Sequence, residues 1–224
     1  MSRLRADCHI FLDTANTSMG QIDALVQLGL FRGFIVSLPT LCNTESVRYL
    51  LREYVNPGYE IMIPTWGSTV DDMVGNGIAL SSLDRERVIV QVPITTVGIE
   101  VASKLVARNI RVCLTEFSDD HHALVAATIG VDYALSNNQR YEHGRPVYLI
   151  CCGTVVCRLH LNIKCRKFSV QEAKRVLDAL QSKTRILVPV KDFRPDTTHV
   201  VQWVKKGYNS FAISPEVARN LVGR

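Results

Sequence analysis

No run in this 224-residue chain is apolar for long enough to cross a membrane. A disulfide framework is also missing: the seven cysteines are odd in number and irregularly spaced, so a reducing compartment, cytoplasmic or organellar, is expected. The opening MSRLRADCHIFLDTAN meets Asp7 before any long apolar segment, so it does not read as a secretory signal. Basic residues never gather into a stripe. The net charge of +5, from 26 Lys and Arg against 21 Asp and Glu, is spread singly or in pairs, which argues against a nucleic-acid surface. It remains compatible with a pocket for phosphate. Nor does a glycine-rich loop follow the first apolar run, which counts against a doubly wound nucleotide-binding sheet.

What is present is a regular alternation. Strand-like runs fall at 9–15, 33–39, 60–66, 87–93, 111–117, 133–139, 185–191 and 210–214, each followed by a helix-length segment. Thr17 or Ser18 can cap a helix reaching Leu28, with Gly29 as a stop, and Pro215 suits a first helical position. Helical spacing also marks 97–108, 119–129 and 170–180. Eight β-then-α units in one domain of 224 residues predict a single (β/α)8 barrel, whose chemistry sits at the C-terminal ends of the strands. The positions to inspect are therefore Asp13, Leu38, Pro64, Gln91, Thr115, Glu116, Asn137, Arg140 and Lys191.

One segment interrupts the alternation. Residues 145–165 read RPVYLICCGTVVCRLHLNIKC, two extended runs around Gly153-Thr154. The second run alternates, with Val155, Cys157, Leu159, Leu161 and Ile163 on one apolar face. This predicts an inserted β-hairpin after strand six that serves as a lid or a contact surface, since an apolar face needs covering.

Gln91 is the odd member of RVIVQVPIT. An amide inside so apolar a strand must find hydrogen-bond partners or cost about 1–3 kcal/mol. Two metal readings are weaker than their plain alternatives. In Asp119-Asp120-His121-His122 the adjacent histidines would point about 100° apart on a helix, so capping by Ser118 or Asp119 is the better account. Cys151, Cys152, Cys157 and Cys165 with His160 lack a paired C-x2-C spacing and read as buried thiols. No metal and no cofactor are expected. Trp66 and Trp203 read as core or interface aromatics.

FLDTAN in strand one, VQVPIT in strand four and the eight-unit spacing together resemble the transaldolase family, in particular its short fructose-6-phosphate aldolase-like branch. The resemblance spans most of the chain outside the hairpin. Family members form a Schiff base between a strand-four lysine and a ketose, the imine acting as electron sink for carbon–carbon cleavage. The family pattern V-K-I-P-x-T puts that lysine where this chain has Gln91. The resemblance implies further departures: Leu38 stands for the asparagine of T-N-P-S, Pro64 for a glutamine, and Asn137 for the tyrosine that positions water. It implies three retained roles: Asp13 for proton transfer, Thr115 on strand five, and Arg140 for sugar phosphate.

These residues lead to the expectation of a barrel that has lost its parent reaction and acts as a structural or interaction subunit. By the same resemblance it forms a homo-oligomer, with the hairpin as the surface for a protein partner. One alternative is a diverged sugar-phosphate lyase, transferase or isomerase using Asp13 and Glu116, or an imine relocated to Lys191, though a lysine there also reads as a plain strand end. The other is a module that binds sugar phosphate through Arg140.

Overall fold

The computed structural model describes residues 8–14, 17, 19–36, 52–53, 58–136, 150–151, 154–155, 169–190 and 198–221. The expected strands are all there. They form β1 (His9–Asp13), β2 (Gly33–Ile35), β3 (Glu60–Pro64), β4 (Val88–Pro93), β5 (Val112–Phe117) and β6 (Tyr133–Ser136). After the short strands β7 (Ile150–Cys151) and β8 (Thr154–Val155) come β9 (Arg185–Val190) and β10 (Ser210–Ile213). Eight of them close into a parallel barrel in the order β1-β10-β9-β6-β5-β4-β3-β2.

The described helices are α1 (Met19–Val26), α2 (Val70–Ser81), α3 (Thr96–Val106), α4 (Asp120–Ile129), α5 (Val170–Ala179), α6 (Thr198–Lys205) and α7 (Pro215–Leu221). Their starts follow local chemistry. Thr69 and Asp72 form a reciprocal capping box on α2, and Asp119, as expected, caps α4 by accepting from the His121 amide at 2.8 Å. Gly130 ends α4 in the left-handed conformation, φ +78°. None of the described helices is long and apolar enough to cross a membrane.

Of the expected hairpin over 145–165, only residues 150–151 and 154–155 are described. β7 and β8 pair antiparallel, Ile150 opposite Val155 and Cys151 opposite Thr154. Thr154 thus belongs to a strand rather than to the turn. Cys157, Leu159, Leu161 and Ile163 lie outside the described residues, as does the side chain of Val155.

Strand residues alternate between two cores. Leu12, Phe34, Ile61, Val90, Leu114, Val188 and Phe211 face outward into the core packed beneath the helices. A second cluster takes one residue from each barrel strand: Phe11, Ile35, Met62, Ile89, Cys113, Tyr133, Leu187 and Ala212. These fill the barrel as a packed layer, the usual interior of this architecture. Gly33 is required where β2 meets β3, because a Cβ there would lie 2.0 Å from the Glu60 carbonyl oxygen.

Beneath that layer, at the N-terminal end, a polar knot joins five chain segments. The Glu60 carboxylate accepts from Arg32 at 2.9 Å, from Arg111 at 3.0 Å and from the Tyr133 hydroxyl at 3.3 Å. Tyr133 in turn lies 2.8 Å from His9 Nδ1, and Arg111 Nε reaches Asp132 at 3.4 Å. Burial pushes the Glu60 carboxyl up, but the hydrogen bonds and charges of Arg32 and Arg111 outweigh it and hold the group below its ordinary 4.5. A depressed carboxyl contributes stability above its unfolded pKa, and that stability is lost as pH falls through the folded value.

Glu60→Gln is therefore expected to destabilise the fold at pH 7 by about 2–3 kcal/mol. This is less than the roughly 3–5 kcal/mol for breaking a fully buried pair, because Arg32 keeps water contact. Urea unfolding measured from pH 7 to pH 3 should also show a shallower acid loss in the variant than in wild type.

Candidate functional site

The C-terminal mouth of the barrel is built from the ends of strands whose interior positions are already set by the packed layer. In β4, Ile89 belongs to that layer and Gln91, two residues on, points the same way one step nearer the mouth. Gln91 is 7% exposed. Its Nε2 donates to the Met62 carbonyl at 2.7 Å and more weakly to the Val36 carbonyl at 3.3 Å. The Val36 amide also donates to Met62 O, at 3.0 Å. The odd amide thus reaches across the ends of β2 and β3 and ties them to β4. Its partners are backbone carbonyls.

The turn after β4 is tight. Thr95 caps α3 by accepting from the Gly98 amide at 3.0 Å, and a Cβ on Gly98 would lie 1.8 Å from the Pro93 carbonyl oxygen. A glycine there lets α3 start hard against the strand and fixes the height at which β4 ends.

Asp13 ends β1 on the same side as Phe11 and is half-buried. Thr115 on β5 is level with Pro93 and also half-buried. The register between β5 and β6 then shifts between Leu114 and Phe117. The cause lies at Glu116, which is exposed and holds φ +62°. This is a β-bulge with a left-handed residue that is not glycine. It breaks the alternation, so that Phe117 packs into the outer core instead of the barrel interior. Gln91 and Thr115 thus lie on adjacent strands, with Asp13 farther round the ring beyond β2 and β3, while Glu116 leaves the strand pattern and is exposed.

Other candidates fall elsewhere. Leu38, Asn137, Arg140 and Lys191 lie outside the described residues. His122 Nδ1 accepts from the Ser118 amide at 3.3 Å, and its ring packs edge-on against Phe117 at 5.9 Å, a packing role. No group of three or more His, Cys, Asp or Glu able to hold a metal occurs among the described residues. Trp66 is 47% exposed just past β3, so it is not a core residue, whereas Trp203 is half-buried against Tyr208.

Chemically, the described mouth offers two carboxylates, a threonine hydroxyl and an amide, and among the described residues no lysine ends a barrel strand. Comparison of the sequence with protein-family models gave no match, and comparison with curated proteins gave none either. Sequence reasoning missed the knot around Glu60. Its only trace is a charged residue just before or at the start of an apolar strand, at Arg32, Glu60, Arg111 and Arg185.

If Gln91 acts as a donor to two carbonyls, its replacements should rank by polarity. Gln91→Leu should cost about 1–2 kcal/mol, the scale of a lost buried hydrogen bond. Gln91→Glu should cost more at pH 7, since a carboxylate would face two carbonyl oxygens. That penalty should shrink at lower pH as the acid takes a proton, which thermal melts at pH 7 and pH 5 would resolve.

Proposed function

We propose that this chain is a transaldolase-type barrel that has lost Schiff-base aldolase chemistry and serves as a structural or interaction subunit of a homo-oligomer or a larger complex. One observation carries the reading. At the position that matches the family's lysine stands Gln91, and its amide nitrogen is held by the Met62 and Val36 carbonyls. Imine formation needs an amine lone pair that can attack a ketone, and an amide nitrogen has delocalised that pair into its carbonyl. The motifs FLDTAN and VQVPIT, which begin on β1 and β4 of a closed eight-stranded parallel barrel, support the family part of the reading. The partner surface in this reading is the 145–165 segment, with its alternating apolar residues.

A second reading is favoured by Glu116. Left-handed backbone costs a non-glycine residue about 1–2 kcal/mol, and residues held in such geometry cluster at functional sites. In this reading the barrel is a diverged lyase, transferase or isomerase of sugar phosphates in which Glu116 and Asp13 exchange protons without an imine. A sugar phosphate held by Arg140 would serve either an enzyme or a binding module.

Borohydride trapping with fructose 6-phosphate and with dihydroxyacetone phosphate, read by intact mass, tests the lead. Wild type should give no adduct and Gln91→Lys should give one; a wild-type adduct would overturn the proposal and direct attention to Lys191. For the interaction role, deleting 145–165 should change the sedimentation coefficient beyond the lost mass or abolish partner capture. Unchanged assembly and capture would remove that part. Glu116→Gly should raise stability by about 0.5–1 kcal/mol, the relieved strain less the entropy of glycine, whereas Glu116→Ala should not. If Glu116→Gly is no more stable than Glu116→Ala, the bulge stores no strain and the second reading loses its support.

A further inference from the structure

Past Pro64, β3 runs into a short loop, Thr65-Trp66-Gly67-Ser68-Thr69, that carries no charge. Three contacts fasten it to α2. The Thr65 hydroxyl donates to the Met73 carbonyl at 2.7 Å, Asn76 Nδ2 donates to the Trp66 carbonyl at 2.7 Å, and Thr69 caps the helix. These contacts hold the backbone of Trp66 in place, yet the residue is 47% exposed. A fixed backbone under an exposed indole offers a flat apolar surface that needs little further ordering to be used.

The position of that surface follows from the strand. Thr65 reaches outward to α2 and Met62 belongs to the layer inside the barrel, so alternation puts Pro64 and Trp66 on the inner side. A ladder bond from the Thr65 amide to the Gln91 carbonyl, 3.0 Å, keeps the chain extended up to the tryptophan. Pro64 is level with Gln91. Trp66 therefore stands about 7 Å higher over the mouth, two residues of strand rise, a step comparable to the width of a fused ring system.

Gln91 supplies the polar half. Its Nε2 is committed to the Met62 and Val36 carbonyls, at 2.7 and 3.3 Å, and among the described residues nothing donates to its Oε1. The residue is 7% exposed, so Oε1 is an acceptor without a donor in a nearly closed position. The mouth gives an anion no counter-charge. Asp13 and Glu116 are carboxylates, and among the described residues neither lysine nor arginine ends a barrel strand.

We propose that the mouth binds a flat amino-substituted heterocycle, stacked on the Trp66 indole with its amino group donating to Gln91 Oε1. An oxygen that can only accept tells an amino group from a keto group or a bare C–H at the same ring position. Hydroxyl groups, which accept as well as donate, would not be sorted in this way, and a saturated ring would forgo the stacking of two π faces. The inference goes beyond the functions proposed above, since it needs neither an imine nor a phosphate.

Calorimetric titration of the full chain with adenosine tests the assignment, with purine riboside, which lacks only the amino group, and ribose as controls. Wild type should bind adenosine saturably, purine riboside about tenfold more weakly, and ribose not at all. Trp66→Ala, at an exposed position, should weaken adenosine about tenfold with little change in melting temperature, and Trp66→Phe, which keeps a flat ring, should recover most of the loss. Gln91→Leu should bind adenosine and purine riboside alike, whatever its affinity for either. Failure of wild type to bind adenosine saturably, equal binding of purine riboside or ribose, or undiminished binding by Trp66→Ala would each overturn the proposal. A preference for adenosine that survived Gln91→Leu, or a Trp66→Phe variant as weak as Trp66→Ala, would overturn it as well.

Discussion

A sheet closed on itself has no edge to leave open, so everything here depends on filling the space it encloses. Eight side chains do this, one per strand, and their sizes are matched: Phe11 and Tyr133 meet edge-on at 5.4 Å, while Cys113 and Ala212 are small. The layer is dry enough that burial drives the Cys113 thiol far above its ordinary value. This apolar septum divides the barrel into two polar ends with different chemistry. Below it lies a charged knot centred on Glu60, and above it lies a neutral amide, Gln91. The Glu60 carboxylate and the Gln91 amide each find their partners on their own side of that layer.

The two ends solve the same problem by different means. A buried carboxylate needs counter-charge, and Glu60 draws it from the loop before β2 and from the residue before β5, so one group ties together segments that the strand order separates by β4. Tyr133 extends the knot to β1 through His9, and burial together with the nearby Glu60 charge keeps its phenol protonated. At the mouth no charge is buried by Gln91, so two carbonyls suffice. The lower end is thus built for closure. The upper end keeps its carboxylates half-buried at Asp13 and exposed at Glu116, where they can meet solvent or a ligand.

Much of the fold was legible because parallel barrel strands are buried on both faces and read as nearly unbroken apolar runs, which periodicity and flanking turn residues locate. Caps such as Asp119 were legible for the same local reason. Gln91 was visible as an anomaly, but its partners were not, since backbone carbonyls of β2 and β3 become its neighbours only once strand order and register are known. The Glu60 knot was hidden for that reason too: His9 and Tyr133 are 124 residues apart, and no local pattern links them. The bulge at Glu116 left no trace at all. VCLTEF contains no glycine to announce a positive φ, and simple alternation from Cys113 would put Phe117 inside the barrel, which holds only for an unbulged strand.

These features bear unequally on function. The tie from Gln91 to Met62 and Val36 is a sufficient structural reason for that residue, and it accounts for why an amide can stand where the proposed family has an amine. Glu116 has no such structural justification: its side chain is exposed, so packing gains nothing from the left-handed backbone beyond the reversal that sends Phe117 into the outer core. Glycine at this position would relieve the strain in either reading; a bulge needed only to seat Phe117 would lose nothing else by the change, while one that presents a carboxylate would lose ligand binding or turnover with it.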